Sequence, residues 1–335
     1  MIDCYDVDNL IDIIYDYNYN LNSSKCYETK PVILLDINDI DLIKITPNKI
    51  NSVQLINNIF NDNLTFLRSE IYPTGYKYIF KKSNVDIVIH TYINNDKITN
   101  LNSCENVNKR ISKLFSDFVI YKQSNNILIN IINIDFEYND LDKFIETHQN
   151  IHNLKNDAIN SNCLSISISE HFFKMRSLSE HLTDDLMKEM KDEHYLSIIV
   201  QIFKTLQIIQ NKYPTFRHNN LQIENMYGYI GDSLLNLKID YFNFSIFNVG
   251  FTYKMNNFEY ANISDIIDND DIDEQLKTFD NLYDVKQFIS SLINHCSKHM
   301  NKNVINFCNK ILTNNIPLNL LLEDVIFNSI TKNKK

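Results

Sequence analysis

The sequence predicts an α+β fold, in which a small β-rich part is followed by a larger and mainly helical part. Residues 65–93 carry three runs rich in Ile, Val, Tyr and Phe, and residues 165–170 alternate between polar and apolar side chains. Both patterns are typical of β-strands. Residues 195–210 are apolar on nearly every face, which is typical of a long helix buried on most sides. Strand signals before residue 170 and the strongest helix signal after it favour the α+β class.

Composition excludes several classes of protein. The chain has 335 residues, 44% of them hydrophobic, so it can bury a large core as one two-lobed domain or as two ordinary domains. The formal net charge of -10 argues against a general nucleic-acid binder. The six cysteines are scattered without close pairs, which fits neither a zinc site nor a disulfide framework and favours reduced thiols. No apolar run approaches the roughly 20 residues of a membrane span, and the acidic N-terminus lacks the basic start of a signal peptide.

The first half of the chain divides into an extension, three strands, a helix and a further strand. Residues 1–60 carry no motif, and we expect them to pack on the β-rich part as an N-terminal extension. Within residues 61–93, the turn signal Pro73-Thr74-Gly75 separates the first two strands. A helix is predicted over residues 104–121, where apolar side chains recur at helical spacing. Residues 124–134 are predicted to form a turn and another strand.

The most informative stretch runs from Pro214 to Asn225 and reads P-T-F-R-H-N-N-L-Q-I-E-N. It follows the long apolar helix, which Pro214 helps to end. It precedes a strand that ends K-I-D-Y-F-N-F over residues 238–244. This stretch resembles the catalytic loop and the metal loop of protein kinases. The resemblance is strongest with divergent kinase-like proteins of large nucleocytoplasmic DNA viruses, whose loop usually reads F-R-H-N-D-L-x-x-x-N and whose strand ends near D-F-D-F.

The resemblance implies a two-lobed, protein-kinase-like fold whose phosphotransfer chemistry has been lost. In an active kinase the loop aspartate accepts the proton of the substrate hydroxyl, and an asparagine and a second aspartate hold magnesium against the phosphates. Asn225 matches the metal-binding asparagine. Asn220 stands at the position of the base, where a neutral amide cannot accept a proton at pH 7. His218 is expected to keep a structural part in packing the loop.

The second metal position is assigned to Tyr241 from the register of the strand that follows the loop. A tyrosine phenol is a poor magnesium ligand. Asp240 lies one residue earlier, and in a strand one residue turns a side chain to the opposite face. A local bulge would allow Asp240 to replace the missing aspartate.

The resemblance also assigns nucleotide-binding positions in the first part of the chain. The phosphate-covering loop needs several glycines, and only Gly75 is present. His90 stands where the family has a lysine; it reaches less far, and its alternative reading is an ordinary strand residue. Glu105 stands where a glutamate would pair with that lysine, although a glutamate near a helix N-terminus is also favoured by the helix dipole. Glu170 lies near the hinge, which lends backbone groups to adenine.

Three landmarks follow the loop. Asp284 lies in Y-D-V-K-Q-F-I-S-S-L, which resembles the family's Y-D-x-H-x-F-L-x-x-L helix, and matches the buried aspartate that ties this helix to the catalytic-loop backbone. The acidic run of residues 265–274 is read as a solvated loop or, alternatively, as a site for a basic partner. Residues 316–327 resemble the family's closing helix.

These assignments give a domain plan and a function. The plan is an extension at 1–60, an N-lobe at 61–170, a C-lobe at 171–330 and a basic, disordered tail at 331–335. We expect a pseudokinase with a binding or regulatory role; the alternatives are a weakly active viral Ser/Thr protein kinase and an interaction protein that binds no nucleotide. ATP with magnesium and no cofactor at all both stay open. We expect a protein partner, viral or host, no nucleic acid and no membrane, and a location in the host-cell cytoplasm or in the virion.

Overall fold

The computed structural model describes residues 64–72, 75–82, 85–93, 100–120, 123–124, 126–137, 163–171, 175–230, 238–241, 244–247, 251–277, 280–329 and 331–333. The chain divides into two compact units. The first unit comprises residues 1–113 and 129–172, and the second comprises residues 114–128 and 173–335. The predicted extension at 1–60 lies outside the described residues. Among the described helices, none is long and apolar enough to cross a membrane.

The first unit contains a five-stranded antiparallel sheet. Its strands are β1 (Leu64–Tyr72), β2 (Gly75–Lys82), β3 (Val85–Ile93), β4 (Asn130–Glu137) and β5 (Cys163–His171). The order across the sheet is β1-β2-β3-β5-β4. Tyr72 pairs with Gly75 and Lys82 pairs with Val85, so short connections set the register of the first three strands. The strands predicted from residues 65–93 and 165–170 are therefore confirmed.

Helix α1 (Cys104–Ile120) begins in the first unit and ends in the second. The predicted apolar face is buried: Ile111 and Phe115 are fully inaccessible to solvent, and Phe118 is 1% exposed. These apolar residues recur at helical spacing and therefore share one side of the helix, which is why the sequence pattern predicted α1.

The second unit contains most of the described helices. They are α2 (Leu178–His181), α3 (Asp184–Glu189), α4 (Asp192–Lys212), α5 (Glu274–Lys277), α6 (Tyr283–Cys296), α7 (Lys302–Thr313) and α8 (Leu318–Leu322). Two short 3₁₀ helices cover Ile223–Asn225 and Val325–Ser329. Every residue of α4 from Tyr195 to Leu206 is buried, which confirms the prediction of a helix covered on most sides.

The polar residue Gln201 is tolerated inside α4 because its side chain is hydrogen-bonded at both ends. Its Oε1 accepts from Asn126 Nδ2 at 2.9 Å and from the backbone N–H of Tyr253 at 3.2 Å. Its Nε2 donates to Ser197 Oγ at 3.2 Å. A buried amide with these partners avoids the cost of losing its hydrogen bonds to water.

Short strands complete the second unit. They are β6 (Arg176–Ser177), β7 (Phe216–Arg217), β8 (Met226–Ile230), β9 (Lys238–Tyr241), β10 (Phe244–Phe247), β11 (Phe251–Met255), β12 (Asn262–Ile263) and β13 (Thr331–Asn333). They form three antiparallel groups, in the orders β11-β8-β6, β12-β7 and β13-β10-β9. Because β13 pairs with β10, the prediction of a disordered tail is wrong for residues 331–333. The described residues thus combine helices with small antiparallel sheets.

Candidate functional site

The loop from Phe216 to Asn225 is fixed by one face of helix α6. The backbone N–H groups of His218 and Asn219 donate to the two carboxylate oxygens of Asp284, at 2.7 and 2.9 Å. The N–H of Leu221 donates to Gln287 Oε1 at 2.7 Å. The N–H of Ile223 donates to Ser291 Oγ at 3.2 Å. The three acceptors on α6 are three and four residues apart, which places them in one row along the helix.

Asp284 is the most deeply buried of these acceptors, with 1% of its surface exposed. Burial raises the pKa of this carboxyl to about 6, although the two backbone N–H groups and the positive charge of Arg217 oppose the rise. The Arg217 guanidinium itself lies 4.2 Å from the centre of the Tyr283 ring. A single buried carboxylate therefore holds two consecutive amides of the loop.

His218 is buried completely and has a structural position. Its ring centre lies 5.2 Å from that of Phe258. Its Nε2 lies 3.0 Å from the carbonyl oxygen of Asn256, so Nε2 carries the hydrogen and donates it. Burial lowers the pKa of His218 to about 4, and the imidazole is therefore neutral at pH 7.

Three asparagines meet at the end of the loop. Asn225 Nδ2 donates to the backbone oxygen of Asn220 at 2.8 Å, and Asn257 Nδ2 donates to Asn225 Oδ1 at 2.9 Å. Asn257 has a φ of 60°, a left-handed conformation that asparagine tolerates better than most residues. We call Asn220, Asn225 and Asn257 the amide cluster.

Strand pairing explains how Asn257 reaches Asn225. Strand β8 leaves the loop directly after Asn225 and pairs with β11, so that Met226 lies opposite Met255. The residues after Met255 consequently return beside the loop. Sequence reasoning missed Asn257; the signal that could have found it is the alternating strand 251–255 followed by N-N-F, with amides in place of carboxylates.

The two residues assigned to the second metal position lie in a different strand from the residue that is hydrogen-bonded to Asn225. Tyr241 and Asp240 lie in β9, where they pair with Phe244 and Ser245 of β10. The residue hydrogen-bonded to Asn225 comes instead from the end of β11. A metal role for Tyr241, or for Asp240 through a bulge, stays a prediction.

Aromatic packing fixes the segment that carries Asn257. The Phe258 side chain is fully buried, with its ring centre 5.4 Å from that of Phe115 and 6.4 Å from that of Phe216. Edge-to-face pairs at such distances add to the free energy gained by burial. The residue beside Asn257 is thus anchored in the core of the second unit.

The amide cluster does not fit a magnesium ion. Magnesium in proteins is bound through one or two carboxylates together with phosphates and water. All three side chains of the cluster are neutral amides. Both ends of the Asn225 amide are already hydrogen-bonded within the chain. No residue of the cluster can act as a general base either, because a neutral amide accepts no proton at pH 7.

The other predicted positions lie in the sheet and helix of the first unit. Gly75 pairs with Tyr72 at the start of β2, and His90 lies in β3 with Lys77 and Ser167 as its backbone neighbours. Glu170 lies near the end of β5, opposite Ile87, and Glu105 is the second residue of α1. Their part in nucleotide binding stays a prediction. The structure brings together His218, Asn220, Asn225 and Asp284, all of which belong to the second unit.

Known proteins offer limited similarity. No protein-family model matches the chain. An uncharacterized protein of Acanthamoeba polyphaga mimivirus is 25% identical over 315 residues, which cover 90% of this chain and 36% of that protein. The chain thus spans little more than a third of that relative's length. Among solved structures, WaaP in complex with acyl carrier protein matches with a TM-score of 0.44 and 7% identity, over 88% of this chain and 93% of that chain. The mimivirus relative agrees with the expected relation to proteins of large DNA viruses, whereas a TM-score this low does not establish a shared fold.

Proposed function

We propose that the chain is a pseudokinase: a protein-kinase-like fold with a binding or regulatory role and without efficient phosphotransfer. The proposal takes residues 216–225 as the former catalytic loop and residues 256–258 as the former metal loop. The proposal is supported by the order of the helix, the loop and the strand pair along the chain. A buried helix leads into the loop, Asp284 of α6 anchors the loop backbone, and the strand pair β8–β11 brings the second loop back beside Asn225.

The observation that carries the proposal is the amide cluster. Phosphotransfer needs one carboxylate to accept the proton of the attacking hydroxyl and another to hold the metal. Asn220 replaces the first and Asn257 replaces the second. Each substitution removes a negative charge and leaves the loop anchored by its remaining hydrogen bonds. In this proposal the hydrogen-bonded loop is retained, while general-base catalysis and metal binding are lost.

A kinase-like fold without phosphotransfer can still recognise a protein partner, and this is the function that we propose. The formal net charge of -10 disfavours nucleic acid as that partner. In the same proposal, the chain acts in the host-cell cytoplasm or in the virion. It needs neither ATP nor magnesium for this role.

A phosphate-transfer assay tests the proposal. The 335-residue chain would be incubated with γ-labelled ATP, with magnesium or manganese, and with basic and acidic protein acceptors. We expect no label above the background set by the Asn225→Ala variant, for the chain itself or for the acceptors. Label that is incorporated by the natural chain and lost in Asn225→Ala would show that the chain is an active kinase.

A further inference from the structure

We propose that Asn257 acts as an internal substitute for a cation, through a hydrogen bond to Asn225 that locks the loop in place without metal. This inference rests on the proposed function, because it explains how a loop built for a metal stays ordered when the metal ligands are gone. We call the hydrogen bond from Asn257 Nδ2 to Asn225 Oδ1, at 2.9 Å, the amide latch.

The directions of the latch and of the adjoining hydrogen bond from Asn225 to Asn220 are both determined. The backbone oxygen of Asn220 can only accept, so the atom of Asn225 that faces it at 2.8 Å must be Nδ2. Asn225 Oδ1 then faces Asn257. An oxygen in that place accepts either a hydrogen or a cation, and Asn257 supplies the hydrogen. The amide hydrogens of Asn257 thus provide the positive end that a metal would otherwise provide.

The neighbouring packing fixes the side chain that forms the latch. Phe258 is buried between aromatic rings immediately after Asn257. Asn256 accepts the hydrogen bond from the buried ring of His218 immediately before it. The backbone of Asn257 is therefore fixed on both sides, and its left-handed φ of 60° aims one side chain at Asn225.

An Asn257→Asp substitution changes the latch with almost no change of shape. A carboxylate cannot donate to Asn225 Oδ1, so two acceptors would face each other. Rotating the Asn225 amide by half a turn would not relieve the conflict, because its oxygen would then face the oxygen of Asn220. One acceptor–acceptor contact remains in either orientation, and a cation placed between the oxygens would remove it.

Thermal unfolding of the 335-residue chain tests the latch. The natural chain, Asn257→Asp and the matched control Asn256→Asp would each be unfolded in EDTA and in millimolar Mn²⁺. We expect the Tm of Asn257→Asp in EDTA to lie about 3–8 °C below that of the natural chain, from one lost hydrogen bond and one unfavourable contact. Mn²⁺ should restore at least half of this loss. The natural chain and Asn256→Asp should show no such response to Mn²⁺.

Two results would overturn the latch. One is an Asn257→Asp variant that is as stable as the natural chain in EDTA. The other is a response to Mn²⁺ no larger than that of Asn256→Asp. If Asn257→Asp yields no folded protein in either condition, Asn257→Gly decides. Glycine suits the positive φ but removes the latch, so backbone amides of residues 218–225 should exchange hydrogen faster; unchanged exchange overturns the inference.

The outcomes separate the latch from the proposed function. If the natural chain itself responds to Mn²⁺, the loss of metal binding is refuted and the latch falls with it. If the natural chain ignores Mn²⁺ while the Asp variants behave alike, the latch alone is refuted and the pseudokinase proposal stands.

Discussion

Two buried groups beside the loop should respond to acid in opposite directions, so that their effects on the free energy of unfolding oppose each other. Asp284 has a pKa raised from 3.8 to about 6 by burial, and His218 has a pKa lowered from 6.5 to about 4 by burial. The two residues are joined by the hydrogen bond from His218 N to Asp284 Oδ2. Substituting either one should uncover the pH dependence of the other.

The sign for Asp284 follows from proton binding. Between pH 3.8 and about 6 the folded state holds a proton on Asp284 that the unfolded state has released. The folded state is therefore favoured at the acidic end of this range, and the stabilisation is lost as the pH rises through the folded pKa. The difference of about two in pKa corresponds to about 3 kcal/mol.

The sign for His218 is the reverse. Between pH 6.5 and about 4 the unfolded state holds a proton on His218 that the folded state excludes. Its stabilisation is complete above pH 6.5 and is lost as the pH falls through the folded pKa. The difference in pKa corresponds to about 3 kcal/mol, opposite in sign to the effect of Asp284.

Urea unfolding at several pH values between 4 and 6.5 measures both effects. Relative to the natural chain, a His218→Gln variant should gain stability on acidification, by about 1.4 kcal/mol per pH unit in the middle of the range. An Asp284→Asn variant should lose stability on acidification by a similar amount. Using differences between variant and natural chain removes the contribution of every other carboxyl. Curves that stay parallel over the whole range would refute the reasoning.

Two further predictions concern the packing around the loop. Replacing Gln287 by Ala should cost about 1 kcal/mol of unfolding free energy, because the N–H of Leu221 loses its acceptor. The hydrogen-exchange rate of the Leu221 amide, measured by NMR, should rise in this variant. The control Ser291→Ala should leave that exchange rate unchanged. Replacing Gly228 by Ala should cost about 1–3 kcal/mol in urea unfolding, because the added Cβ would lie 2.7 Å from the Tyr253 ring. Adding Tyr253→Leu should recover part of that loss; a double variant with strictly additive losses would contradict the steric explanation.

The sequence patterns found the elements whose signal is local. Alternation in residues 165–170 predicts strand β5, and the apolar character of nearly every face of residues 195–210 predicts the buried helix α4. The loop was found because its pattern lies within twelve consecutive residues. Asp284 was found because the helix around it carries its own spaced pattern.

The contact between Asn225 and Asn257 could not be predicted in the same way. These two asparagines are 32 residues apart, and the pairing of β8 with β11 brings them together. A similar pattern at Asp240, Tyr241 and Phe242 lies nearer in the chain and carries an aspartate, which made it the more attractive match. Register between strands depends on tertiary pairing, so a local pattern alone cannot choose between two such matches.

The sequence pattern also could not predict that helix α1 is divided between the two units. Ile111 in the first unit and Phe115 in the second lie on the same apolar face and are both fully buried. Spacing predicts that both residues are buried, but it does not say which partner covers each of them.

The central claim is that amides have replaced the carboxylates that would hold magnesium, and its most direct test is thermal unfolding with millimolar ATP, with and without magnesium. The natural chain and Asn225→Ala would be compared. A ligand at 100 times its Kd would stabilise the folded state by about 2.7 kcal/mol, a shift of several degrees in Tm. The account predicts that magnesium adds nothing to the Tm of either protein. A magnesium-dependent rise that is present in the natural chain and absent from Asn225→Ala would contradict it.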